Sequence, residues 1–288
     1  MCELLGMSAR YPSALDTSLE LFRPRGGQVG PHADGWGLAF FEGRTARIYK
    51  EPIPASESQC LEFLQGYGLQ SDTVIAHIRK ANPPGVGRAY ANTHPFEREA
   101  EGRSWVFAHN GVLPGIQEYA PGRYLPMGDS DSEWAFCLLM EAIHDCITHT
   151  GRLGNIDQTL RCLEPVISGI NALDEFNFLL GNGEHLFVHA HSELHMLSRH
   201  CRINGCDQQV RLIATKPLSD EPWQCLLPNT LLVLRAGEVV RERQTHGAPS
   251  AEAWQRRRDQ EHQLLAYQRE QGAVPHHGSR DQMRTPST

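Results

Sequence analysis

Met1-Cys2-Glu3-Leu4-Leu5-Gly6 opens the chain, and its second residue is the one on which the fold turns. A side chain as small as cysteine at position two allows the initiator methionine to be trimmed. Cys2 would then carry a thiol and a free α-amine on one residue. A thiol beside an amine of pKa roughly 8 is a nucleophile with its own general base. A near-terminal cysteine entering an ordinary strand fits the same residues, so the choice rests on the other segments of the chain.

Outward from the terminus, Ser13 is expected to cap a short helix through Leu21-Phe22. The stretch from His32 to Phe41 turns into a strand, Glu42-Gly43-Arg44 is a turn, and Ala46 to Lys50 returns as a hairpin. Ser56-x-x-Gln59 has the form of a capping box ahead of Cys60-Leu61-x-Phe63-Leu64, so a helix is predicted there. Thr73 to Arg79 and Trp105 to His109 are strand-like. The strongest helix runs from Asp131 to about Thr148, capped by Ser130-x-x-Glu133, with an apolar stripe from Trp134 to Ile143. A second begins near Asp157, and Pro165 limits or kinks it. From Phe176 to Val240 the pattern is β again. Residues 251–271 read as a charged, exposed helix, and 272–288, rich in Pro, His, Ser and Gly, as a disordered tail. Strands and helices come in blocks, which predicts an α+β layered domain with mostly antiparallel sheets.

Composition narrows the function. The 288 residues are 40% hydrophobic and 21% charged, as in a soluble globular protein, and a net charge of −7 argues against nucleic-acid binding. No apolar run approaches the length of a membrane span, and no secretory leader is visible, so a cytoplasmic location is expected. The eight cysteines form no C-x-x-C pair and are expected to be reduced. The densest histidine stretch, His185 to His200 with Cys201 and Cys206, fits no zinc spacing, and no metal is expected. Without G-x-G-x-x-G or a Walker lysine, no nucleotide or other cofactor is expected either.

Four further segments carry polar residues at element ends. Ile78-Arg79 closes a strand, Asn92-Thr93-His94-Pro95-Phe96 follows a Gly/Pro-rich loop, Ala108-His109-Asn110-Gly111-Val112 ends another strand, and Gly128-Asp129-Ser130-Asp131-Ser132-Glu133 opens the long helix. Each has a plain reading. Arg79 fits a surface cation, His94-Pro95 a rigid turn, Asn110-Gly111 a hairpin dipeptide, and Asp131 a carboxylate at the positive end of a helix dipole. Together they suit one task. Amide hydrolysis by cysteine needs a thiolate, a base, oxyanion donors and a grip on the substrate. An asparagine amide followed by a glycine N–H makes a two-donor oxyanion hole. An arginine binds a carboxylate, and an aspartate at a helix start takes an ammonium. A substrate with both groups and a side-chain amide is glutamine.

In this order the segments resemble the class II glutamine amidotransferases, which are N-terminal nucleophile (Ntn) hydrolases. The resemblance covers roughly residues 2 to 240 and is nearest to the stand-alone, YafJ-like branch. It implies a four-layer αββα sandwich of two antiparallel sheets, with an amidotransferase domain over residues 2–250. It also implies catalytic roles for Cys2, Asn110 and Gly111, a carboxylate grip by Arg79, an amine grip by Asp131, and a bracing or lining role for His94. Many members follow the arginine with a Trp-Ala-Thr-type segment. Here Lys80-Ala81-Asn82-Pro83-Pro84 stands instead, and that loop's contacts are not carried over. The implied reaction is cleavage of the glutamine γ-amide through a γ-glutamyl thioester, with ammonia released to a synthase partner subunit. Hydrolysis of a γ-glutamyl peptide or amine is the alternative, and a non-catalytic binding protein on the same fold the third reading. Dimerisation is compatible with all three.

Overall fold

Residues 2–81, 87–120, 122–151, 154–203 and 205–247 are described by the computed structural model. The predicted segments 251–271 and 272–288 lie outside them. Seven strands form one sheet: β1 (Glu3–Ala14), β2 (Trp36–Glu42), β3 (Thr45–Glu51), β4 (Gln70–Ile78), β9 (His195–Ile203), β10 (Cys206–Ala214) and β11 (Gln224–Cys225), in the order β11-β9-β10-β1-β4-β2-β3. Six form the other: β5 (Phe96–Ala100), β6 (Arg103–Gly111), β7 (Phe176–Gly181), β8 (Leu186–Ala190), β12 (Thr230–Arg235) and β13 (Glu238–Gln244), in the order β13-β12-β8-β7-β6-β5. The strand pairings in both sheets are antiparallel.

Why the strands read as nearly unbroken apolar runs is explained by where their two faces go. Side chains alternate across a strand. In β6, Trp105 and Phe107 point to one core and Val106 and Ala108 to another. In β4, Val74 and Ala76 face a third core while Ile75 joins Val106 and Ala108. The middle core therefore lies between the sheets. The core containing Trp105 is closed by Phe136, Leu139 and Met140 of α3 (Asp131–Thr150) and Leu160, Leu163 and Ile167 of α4 (Ile156–Asn171). The core containing Val74 is closed by Leu19 and Phe22 of α1 (Asp16–Phe22) and Leu61 and Leu64 of α2 (Gln59–Gly66). Three stacked cores make the four-layer αββα sandwich, each large buried side chain contributing about 1.5–3 kcal/mol.

The helix starts show how tertiary contacts choose among local signals. Ser130 Oγ accepts the Glu133 N–H at 3.1 Å, but Glu133 does not return the favour to Ser130. Its buried carboxylate instead takes Arg98 at 2.6 Å and the Met127 and Gly128 N–H groups. Ser13 caps nothing: it lies inside β1 and bonds Tyr11 O and Gln208, and α1 starts three residues later. Nor does Ser56 cap α2. Its hydroxyl is spent on Gly26 O, and Ser58 accepts the Leu61 N–H at 2.9 Å. Pro165 sits inside α4, which continues to Asn171. Asn110-Gly111 is not a hairpin turn but the end of β6, paired with Asn177 and Phe176. Among the described residues no helix is long and apolar enough to cross a membrane.

This topology gathers one end of both sheets. Glu3 pairs with Ile78 and Leu5 with Ala214, so Cys2, Arg79 and Thr215 share an edge of the first sheet. In the second, Gly111 closes β6 where Phe176 opens β7.

Candidate active site

Cys2, half-buried, stands at the mouth of β1. Its backbone nitrogen donates to Asn110 Oδ1 at 3.0 Å, a polar tie between the two sheets. Its sulfur rests against the main chain of Lys80, receiving the Lys80 N–H at 3.3 Å and facing the Lys80 carbonyl at 3.4 Å. Burial pushes the thiol pKa up. The positive chain terminus, the Lys80 N–H and the Arg79 guanidinium pull it back, and Asp131 adds to the rise. The sulfur therefore feels both Arg79 and Asp131.

Across the gap, Asn110 is buried, and its Nδ2 lies 3.4 Å from Thr215 Oγ1. That hydroxyl also accepts the Leu4 N–H at 2.9 Å. Gly111 cannot be anything larger. A Cβ there would lie 1.7 Å from the Glu175 carbonyl oxygen, so the close approach of β6 to β7 demands glycine. The same carbonyl lies 3.1 Å from His109 Nε2, and His109 Nδ1 lies 2.9 Å from Ser132 Oγ.

Arg79 is not a surface cation. It is only 4% exposed, its Nη1 donates to the carbonyls of Asp34 and Gly87 at 3.3 and 3.4 Å, and its backbone N–H bonds Gly35 O at 2.7 Å. Asp34 in turn accepts the Ala81 N–H and Arg88 Nε, both at 2.8 Å. Asp131 is the first residue of α3, and its carboxylate accepts the Leu113 N–H at 2.7 Å and the Ser132 N–H at 2.8 Å. His94 is buried, with its ring 4.0 Å from that of His77 and 4.5 Å from Phe96, and among the described residues neither of its ring nitrogens has a hydrogen-bond partner. Burial holds it well below the usual imidazole pKa, so its ring is neutral. His77 is pushed down to about 3, again by burial, and its Nε2 lies 3.1 Å from His109 O. Lys50 anchors the same turn by donating to Thr93 O at 2.7 Å and Pro95 O at 3.3 Å.

Cys2, Asn110 and Gly111 thus meet at the sheet ends, with Arg79 and Asp131 on the flanks and His94 behind His77. Sequence reasoning passed over Lys80, Thr215, Asp34, Ser132 and Glu175. Lys80 and Glu175 act through main-chain atoms, which leave no residue signature. Thr215 was findable only from strand register, as the residue after Ala214 on the strand beside β1. A separate groove of about 820 Å³, lined by Leu138, Cys146, Cys162 and Val166 of α3 and α4, includes none of these site residues.

A cysteine, an asparagine–glycine pair, a buried guanidinium and a helix-start carboxylate are thus gathered at one end of the two sheets. Comparison with known proteins gives the family. Residues 1–205 match the family model of class II glutamine amidotransferases. Over 258 residues the chain is 36% identical to the Escherichia coli (strain K12) protein YafJ, itself named only provisionally as a glutamine amidotransferase, covering 83% of this chain and all of that one. Over 82 residues, 28% of this chain and 33% of the relative, it is 33% identical to the γ-glutamyl-hercynylcysteine sulfoxide hydrolase of Mycobacterium tuberculosis (strain ATCC 25618 / H37Rv). The crystal structure of a predicted glutamine amidotransferase from Pseudomonas aeruginosa PA01 superposes with a TM-score of 0.64 at 33% identity, covering 83% of this chain and 100% of that one. The glutamine phosphoribosylpyrophosphate amidotransferase of B. subtilis shares the fold at a TM-score of 0.57 and 16% identity, over 84% of this chain and 49% of its own. The chain belongs to the class II glutamine amidotransferases.

Proposed function

We propose that the protein cleaves the γ-amide of glutamine, with Cys2 as nucleophile once Met1 has been removed and residues 2–250 as the working domain. The observation that carries this reading is the 3.0 Å contact between Cys2 N and Asn110 Oδ1. It supports the reading because the nitrogen that would become the α-amine, the proposed general base, is held against Asn110. It also fixes the asparagine amide. With Oδ1 turned to Cys2, Nδ2 points away, and of its two N–H groups one faces Thr215. The other, with the Gly111 N–H, is the pair we assign to the oxyanion. Arg79 takes the substrate α-carboxylate, Asp131 its α-ammonium, and His94 braces the wall behind them.

In the first half of the reaction the α-amine accepts the thiol proton, and the sulfur attacks the γ-carbonyl carbon. The tetrahedral oxyanion is held by Asn110 and Gly111. As the C–N bond breaks, the amine returns the proton to the leaving nitrogen and ammonia departs. Water, deprotonated by the same amine, then attacks the thioester carbonyl; the C–S bond breaks, glutamate leaves, and the amine returns the proton to the Cys2 sulfur. The developing negative charge is met by donors already oriented, which is why such groups accelerate acyl transfer.

A second reading rests on the hydrolase match over 82 residues: the leaving group is an amine or peptide, and the enzyme works without a synthase partner. Purified protein should first be weighed by intact mass spectrometry, then offered glutamine and a panel of γ-glutamyl peptides. Loss of Met1 with turnover of glutamine supports the first reading, and preference for γ-glutamyl peptides the second. Retained Met1, with no Cys2 labelling by a glutamine-analogue electrophile, sinks both and leaves a binding protein on this fold.

A further inference from the structure

Resting on that reading, we infer that Ser132 and His109 are positioning residues: a proton-ordered link from the ammonium-binding Asp131 to the backbone of the Gly111 oxyanion donor. The link has four contacts. Asp131 Oδ1 lies 2.8 Å from Ser132 N and 3.3 Å from Ser132 Oγ. Ser132 Oγ lies 2.9 Å from His109 Nδ1, and His109 Nε2 lies 3.1 Å from Glu175 O. Glu175 O is the atom that a Cβ on Gly111 would strike, so it is the wall against which the oxyanion glycine is seated.

Counting protons fixes the direction. A carbonyl only accepts, so His109 Nε2 must carry a hydrogen. The ring is buried and its pKa is lowered by that burial, so it is neutral and Nδ1 is bare. Nδ1 must then receive the Ser132 hydroxyl proton, which agrees with the shorter of the two hydroxyl contacts. The hydroxyl has one proton and cannot also donate it to Asp131. The Asp131 carboxylate therefore keeps two N–H donors, from Ser132 and Leu113, against about four acceptor positions. Two remain for the ammonium of an amino acid. One serine thus serves both halves of the site. Its amide steadies the ammonium grip, and its hydroxyl sets the tautomer that holds Glu175 O against Gly111. His77 Nε2, from the first sheet, contacts the main-chain oxygen of His109 rather than its ring.

The test separates this link from simple structural support. Ser132→Ala should lower kcat for the preferred substrate by about tenfold or more, with KM within about twofold, because displaced oxyanion donors weaken only the transition state. Ser132→Thr, which restores the hydroxyl, should recover most of kcat. His109→Gln, whose amide N–H can still reach Glu175 O, should fall between. A rise in KM with kcat unchanged, no change in either, or failure of the threonine variant to recover would each overturn the link. Side-chain ¹⁵N NMR gives a readout independent of any substrate. The resonance lost in His109→Gln should show a neutral Nε2–H ring in the unmodified protein, and an Nδ1–H ring or an imidazolium would refute the link. If that tautomer is found but no γ-glutamyl compound is turned over, the proposed reaction has failed and the link stands.

Discussion

The two sheets contribute to the site in opposite ways. The first carries Cys2, the proposed nucleophile, and holds it mostly through main chain: its sulfur is seated on the Lys80 N–H and carbonyl, and Arg79 is pinned through the carbonyls of Asp34 and Gly87. The second carries Asn110 and Gly111, the proposed oxyanion donors, and is held through side chains: Ser132 on His109, and His109 on the Glu175 carbonyl beside a glycine with no room to grow. The halves meet at Cys2 N–Asn110 Oδ1 and at Thr215. A half built on main chain tolerates side-chain substitution, whereas a half built on side chains fails one residue at a time.

The hardest way to break this contrast is to remove the chemistry from each side. Cys2→Ala should abolish turnover, while Asn110→Ala should lower kcat by on the order of a hundredfold or more, the usual effect of losing one oxyanion donor. Both should retain wild-type circular dichroism. Steady-state assays decide, and near-wild-type turnover by Asn110→Ala would remove the second sheet from the mechanism. A subtler cut is the tie itself. Thr215→Val leaves the buried Leu4 N–H without its acceptor, which should destabilise by about 1–3 kcal/mol, and kcat should drop several-fold as Asn110 loosens. Thr215→Ser should restore both in urea melts and assays. The smallest effect compares the sheets by pH. His77 of the first and His189 of the second are each pushed down to about 3 by burial, from 6.5. Below pH 6.5 the unfolded chain binds protons that these rings refuse when folded. Stability should therefore be full above pH 6.5 and fall as pH drops from 6.5 toward 3, by up to about 1.4 kcal/mol per unit per ring. His77→Gln or His189→Gln should flatten that slope in denaturant titrations at pH 7 and 5; unchanged slopes would show that the rings charge without cost.

Legibility in the sequence followed the range of the interactions. α3 was readable because its cap, Ser130, and its apolar stripe lie within a few turns of each other. β5 was not, since Phe96-Glu97-Arg98-Glu99 reads as solvated until Arg98 meets Glu133, 35 residues away in the chain. Ser56 has the spacing of a capping box, but Gly26, brought in by the fold, takes its hydroxyl, and Ser58 becomes the cap. The four-layer order came from family resemblance. Blocks of strands and helices predict layers, but not that both strand faces are covered. In the site, residues that act through side chains at strand ends, such as Cys2, Asn110 and Arg79, left a recognisable pattern. Those acting through a carbonyl or one hydroxyl, such as Glu175 and Thr215, left none.

The seat of the Cys2 sulfur has a practical corollary. Because Lys80 offers only its peptide groups, a saturation-mutagenesis scan should score position 80 as almost silent, with proline, which lacks the N–H, as the single sharp dropout. A flat mutational profile there would hide one of the nearest neighbours of the sulfur proposed to react.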